Sequence, residues 1–215
     1  KLTPGSHEVL WDYRMNPAFV DDQDGPGNNR FRGGPRAQGP MVMPGIYQIQ
    51  VEAGQVTMFG DVMVQIDPRV EISNDELESR QEALMSIYRL QKPVFEATQA
   101  VQRLEEQLEE AVKLIRGTND SDDSLSKEAE QMMLTLEDIR KHLTNLPMGV
   151  GGSIEGSHTL PTQDQLEDIE RAWEDGPAII ADLNFLISNS MPQFYQSMNT
   201  AGIRADPGNI IRIPR

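Results

Sequence analysis

The feature that most constrains this chain is a change of hydrophobic period at Asp67-Pro68. Before it, Tyr47, Ile49 and Val51 alternate with Gln48, Gln50 and Glu52, and Val62, Val64 and Ile66 repeat the alternation further on. Period 2 is that of a strand with one buried face. Ala53-Gly54-Gln55 between the runs reads as a turn. Proline cannot donate to a ladder, so Pro68 stops the sheet, and from Asn74 onward the apolar residues recur at helical spacing. The expectation is an α+β chain, with a β portion over 1–72 and a helical bundle over 73–215.

Two or three strands are expected over Ile46–Glu52, Val56–Phe59 and Val62–Ile66. A further one is expected over Ser6–Arg14, where Val9, Trp11 and Tyr13 would share a face continued by His7. Four strands make only part of an immunoglobulin-like sandwich, which needs about seven. The missing strands are expected upstream of Lys1 or on a partner chain. The chain opens Lys1-Leu2-Thr3-Pro4-Gly5, without an initiator methionine or a signal peptide, and reads as an internal piece of a longer precursor. Residues 16–40 are rich in Gly, Pro, Asn, Asp and Arg and read as a long loop.

In the second part, Leu77, Leu84, Ile87, Gln91, Val94, Thr98, Val101, Leu104, Leu108, Ala111 and Ile115 form one stripe along a helix about 60 Å long. Ser73 or Asn74 is its N-cap, Asp75 and Glu76 suit its positive end, and Pro93 predicts a kink or break near Leu90. A second helix is expected over 126–146 with Ala129, Met132, Met133, Leu136, Ile139 and Leu143 inward, followed by a flexible linker over 147–153. A third starts at a Thr162/Gln165 capping box and carries Leu166, Ile169, Trp173, Ile180, Leu183, Ile187, Phe194 and Met198. Gly176-Pro177 and Met191-Pro192 should kink it without ending it, and Gly202 is its C-cap. Together these predict a three-helix antiparallel bundle with long, proline-kinked helices.

The formal net charge is −15, and residues 1–73 carry 6 Lys/Arg against 9 Asp/Glu, which leaves −12 on the helical remainder. Such a balance opposes nucleic acid as a partner, because that affinity rests on cations neutralising phosphates. No apolar run approaches the roughly 18 residues of a membrane span. The absence of cysteine removes thiol nucleophiles, disulfides and thiolate metal sites. His7, His142 and His158 lack metal or triad spacing, and 21–25 and 120–123 lack the full ligand pattern of a calcium loop. Glu105, Glu106, Glu109 and Glu110 read as a solvated helix face, and Gly149-Val150-Gly151-Gly152 leads to no phosphate-binding Lys-Ser/Thr. Trp11 and Trp173 read as packing anchors, and Met132, Met133 and Met198 as core. No catalytic residue, cofactor site or metal site is assigned.

Gly5-Ser6-His7-Glu8-Val9-Leu10-Trp11-Asp12-Tyr13-Arg14 resembles the G-x-N-x-x-x-W-D-L-R segment of exported bacterial sortilin-like β-propeller proteins, named as glycosyl hydrolases of the BNR (Asp-box) type. Gly39-Pro40, Pro44-Gly45-Ile46-Tyr47 and Asp67-Pro68-Arg69-Val70 resemble that family's following segments. Leu160–Leu166, Leu183–Ile187 and Met191–Tyr195 are similar to its C-terminal helix. The ordered set, more than any one motif, carries the likeness. His7 stands where the family has asparagine, Tyr13 where it has leucine, and the 16–40 loop is unusually glycine-rich. The W-D and P-G-x-Y pair also resembles the Ig-like domain of flagellar hook-capping proteins.

The resemblance implies an exported parent, periplasmic, cell-surface or extracellular, whose propeller carries the S-x-D-x-G-x-T-W boxes and any glycan chemistry; no such box occurs here. This chain would then be a non-catalytic structural and interaction module, packing on the propeller or on a second copy. Two other readings stand beside it: an accessory part of an active glycan hydrolase, or a self-assembling surface or filament subunit.

Overall fold

The computed structural model describes residues 5–20, 38–117, 123–157 and 159–203. The order of elements is β1 (Gly45–Ala53), β2 (Val56–Val64), α1 (Asn74–Gly117), α2 (Asp123–Asn145), α3 (Val150–Glu155), α4 (Gln163–Phe185), a π-helical turn (Leu186–Ser190) and α5 (Met191–Thr200). The architecture is mixed α and β, as the change of period requires. By packing, the chain divides into two compact units, one of residues 1–88 with 151–162 and the other of residues 89–150 with 163–215.

In the first unit, β1 and β2 form a two-stranded antiparallel hairpin in continuous register from Gly45–Val64 to Ala53–Val56. One open count is settled here and one expectation is corrected. The runs 56–59 and 62–66 are one strand, since Gly60 and Asp61 pair with Ile49 and Gln48 without a bulge. Residues 6–14 form no strand; only Arg14 makes an isolated bridge, to Met41. Alternation alone does not make a strand without a neighbour to bond, and the Trp11–Arg14 segment closes on itself instead.

α1 starts at a full capping box. Ser73 Oγ accepts from Glu76 N at 3.3 Å, and the Glu76 carboxylate accepts from Ser73 N at 2.8 Å. The backbone N–H of Ser73, and then its hydroxyl, hold the Glu76 carboxyl below its ordinary value. Because the folded value is the depressed one, this contribution is complete above the unfolded carboxylate pKa. It fades as pH falls through the lower folded value. Ser73→Ala is expected to cost about 1 kcal/mol of first-turn stability, read as faster amide exchange at residues 75–77 with the far end of α1 unaffected.

α1 runs on through Pro93 as a single helix, so no break occurs near Leu90, although Pro93 leaves the carbonyl of Arg89 without its i+4 donor. Leu84, Ile87, Val94, Val101, Leu104, Leu108, Ala111 and Ile115 of the expected stripe are buried, and Ala83, Leu90, Ala97 and Ala100 join them. Leu77 and Gln91 lie only half-buried, and Thr98 is exposed. The added alanines widen the stripe, because 3.6 residues per turn spreads a buried face beyond one row.

In the second unit, one core joins α1 from Val94 onward with Leu125, Ala129, Met132, Leu136, Ile139 and Leu143 of α2 and with Leu183, Leu186, Met191, Phe194 and Met198. Pro192 is accommodated by the π turn: Met191 N bonds to Leu186 O, five residues back. The wider turn passes the buried face from Leu186 to Met191, while Ile187 is only partly covered. α5 ends as expected at Gly202, whose φ of 75° suits a residue without Cβ. Ile203 N bonds to Met198 O and Gly202 N to Asn199 O, and Ile203 and Met198 are both buried, which completes a Schellman cap.

The glycine-rich segment expected as a flexible linker contains α3. Ile154 is 1 % exposed, and the Arg80 guanidinium donates to the carbonyls of Ile154 and Glu155 at the helix C-terminus. One buried apolar anchor and a cation on the unsatisfied carbonyls offset the low helix propensity of Gly151 and Gly152.

Candidate functional site

Three of the motif segments meet in the first unit. Asp12 Oδ1 accepts from Arg14 N at 3.1 Å and Trp11 Nε1 donates to Arg14 O at 3.0 Å, closing a tight turn around Tyr13. Tyr13 sits at φ 59°, in the left-handed region that a bulky residue enters at a cost of about 1–2 kcal/mol. Its carbonyl accepts from Val42 N at 2.8 Å and Met15 N donates to Pro40 O at 2.9 Å, so the bridge to the Gly39-Pro40 segment holds that conformation. The Trp11 ring lies 5.4 Å from Tyr13 and 5.4 Å edge-on to Tyr47 of β1. Tyr47 in turn donates its hydroxyl to Met43 O at 2.6 Å.

The charged centre of this cluster is Glu155, at the end of α3. Its Oε2 accepts from Arg14 Nη1 at 2.6 Å and its Oε1 from Met41 N at 2.9 Å, while Arg14 Nη1 also donates to Gly39 O at 3.0 Å. The ion pair is largely shielded, with side-chain exposures of 23 % for Arg14 and 17 % for Glu155. Tyr88 adds a hydroxyl donation to Asn16 O at 2.9 Å. Both Glu155 oxygens are thus committed to fixed donors, which suits positioning the Trp11–Arg14 turn rather than moving protons. Glu155 and Arg80 escaped the sequence reading. The available signal was that Glu155 is the one carboxylate in the 147–158 segment.

This cluster supports one end of an apolar sheet face. The pairing puts Tyr47, Ile49, Val51 and Ala53 beside Val62, Gly60, Met58 and Val56 on the same side, so that face carries no charged residue. Tyr47, Val62 and Val64 are half-buried. The distal half is open: Ile49 is 46 %, Val51 49 %, Val56 57 % and Met58 55 % exposed. The opposite face mixes Gln48, Gln50, Glu52, Thr57 and Asp61 with Ile46, Phe59 and Met63. A solitary hairpin is marginal in water, and among the described residues the distal half of this apolar face is left without a covering layer.

The other singled-out residues do not assemble. Asp67 makes a local turn with Arg69, whose side chain and then backbone N–H hold the Asp67 carboxyl below its usual value, at the surface. His7 is exposed, His142 pairs with Asp138 at 3.3 Å, and His158 lies outside the described residues, as do 21–25 and most of 120–123. Among the described residues no three His, Asp or Glu are grouped to hold a metal ion. Glu105 reaches Arg140 at 3.4 Å, and Glu106, Glu109 and Glu110 are exposed. Burial, and then the negative charge of Glu110, push the Tyr195 hydroxyl above its ordinary value. Leu166 and Trp173, seven residues apart on α4, are 44 % and 41 % exposed and form a second apolar strip, so Trp173 does not anchor a core. No helix of the described residues is long and apolar enough to cross a membrane.

No protein-family model, no curated protein and no solved structure matches this chain.

Proposed function

We propose that this chain is a non-catalytic structural and interaction module, the C-terminal region of an exported sortilin-like BNR β-propeller protein. In this reading the hairpin is a fragment of an Ig-like sandwich whose other strands come from upstream or from a partner chain, and the helices form a three-helix bundle. The observation that carries it is the uncharged hairpin face, with its distal half open and its near end fixed by Trp11 and Tyr47. The half-exposed Leu166 and Trp173 strip on α4 supports a second contact, of helix against propeller. The residues of the W-D-Y-R, G-P and P-G-I-Y motifs act in this reading as the frame that presents the face.

Two measurements test it. Reading the coding sequence upstream of Lys1 is expected to reveal tandem Asp-box repeats, and their absence removes the propeller. Amide exchange on residues 45–64 of the chain is expected to slow when the preceding region is supplied. A chain that is monomeric, fully protected in the hairpin and without affinity for that region would end the module reading itself.

A further inference from the structure

We propose that the free edge of β1 pairs with the same edge of a second copy of this chain, antiparallel about a two-fold axis through Ile49, to give a four-stranded sheet. This rests on the reading of the hairpin as an incomplete sheet. Among the described residues β1 and β2 form a two-stranded sheet, so each strand has one edge unpaired. Exposed edges in stable proteins are blunted by charged side chains, lysine above all, by proline, by bulges or by shortness. β1 (GIYQIQVEA) is nine residues long, in unbroken register, without Lys, Arg or Pro, and its single charge, Glu52, lies at the turn end.

The hydrogen-bond phase fixes the register. A two-residue turn between the closing pair Ala53–Val56 makes that pair exchange backbone bonds, and the pattern alternates from there. Tyr47, Ile49 and Val51 therefore bond toward β2, and Ile46, Gln48, Gln50 and Glu52 turn their N–H and C=O groups to the free edge. Across an axis through Ile49, Gln48 faces Gln50 of the second copy and Ile46 faces Glu52, all with outward groups. Ile49 faces its own copy, and Tyr47 faces Val51, at the closer non-hydrogen-bonded positions where β-branched and aromatic side chains pack best. No like charges meet in this register, although the chain carries a net charge of −15. The edge of β2 is a poorer candidate. Its equivalent axis falls on Gly60, which has no side chain to pack, and would set Phe59 against Asp61.

The full chain tests this by sedimentation velocity across micromolar concentrations. The unaltered chain is expected to sediment as a dimer at the upper end. Gln48→Lys with Gln50→Lys brings like charges together across the axis and is expected to weaken the dimer about tenfold or more. The hairpin itself survives this change, because residue 48 faces Asp61 within the copy. Gln48→Lys with Gln50→Glu makes the cross-axis pairs opposite in charge and is expected to restore the dimer. A dimer indifferent to the double lysine variant overturns the proposal, since another surface then holds it. An unaltered chain that stays monomeric also overturns it. If the amides of Gln48 and Gln50 then exchange freely, the incomplete-sheet reading survives; if they are protected in that monomer, both fall.

Discussion

Phe194→Ala is expected to remove about 3–5 kcal/mol from the stability of the second unit, the range for truncating a buried phenylalanine. Phe194 is fully buried in α5 and lies in one core with residues of α1 and α2. The same core holds Leu104, Leu108, Leu136, Leu183 and Met198, each at 0 % or 1 % exposure. The cavity would form just after the π turn, where Met191 N bonds to Leu186 O and an α-helix would have used Ile187 O. That wider turn fixes where Phe194 enters the core, and the Schellman cap at Gly202 fixes the far end of α5, so the site has little freedom to collapse around the missing ring. Leu134→Ala, at a position 59 % exposed on α2, is the matched control and should change stability by less than about 0.5 kcal/mol. Urea unfolding followed by amide exchange at residues 94–143 and 183–198 checks both. The loss should appear there and leave the hairpin amides unchanged, because the hairpin belongs to the other unit.

Gly39→Ala is expected to undo the frame of the candidate site. A Cβ at Gly39 would press on Met15 O and lie 2.5 Å from Asn16 O, inside any real contact distance and against backbone that cannot rotate away. The Gly39-Pro40 segment must then separate from Met15, losing the Met15–Pro40 and Val42–Tyr13 hydrogen bonds and the acceptor that Gly39 O offers Arg14. Glu155→Gln is the milder companion. An amide oxygen still serves one donor but gives up the charge facing Arg14, a loss of about 1–2 kcal/mol for a partly shielded pair. Trp11 fluorescence in a Trp173→Phe background reads both variants. Gly39→Ala should shift the emission to that of a solvated indole and open residues 14–16 to proteolysis. Glu155→Gln should shift the midpoint only. A Gly39→Ala chain with unaltered emission and protease resistance would show that the close approach is not what holds the turn.

Local physics made much of this legible from residue order alone. Ser73 and Gly202 cap their helices because capping needs only neighbours three to five positions away. Leu104, Leu108, Leu136, Leu183 and Met198 are buried because helical spacing puts them on one face. Alternation misled at Val9, 89 % exposed, and at Tyr13, 52 % exposed, where among the described residues no partner strand supplies a ladder.

The sequence by itself determined the change from sheet to helix at Asp67-Pro68, both ends of α1, the C-terminal end of α5, and most of the helical core, since each depends on period and on near neighbours. Only the tertiary structure decided that the Trp11–Arg14 segment is a turn, that the glycine-rich stretch after Pro147 holds a helix, and that Arg14 finds Glu155. Those two residues are 141 positions apart, and no local pattern couples charges at that separation. Their pairing follows from where the folded backbone brings Gly39, Met41 and the end of α3 together.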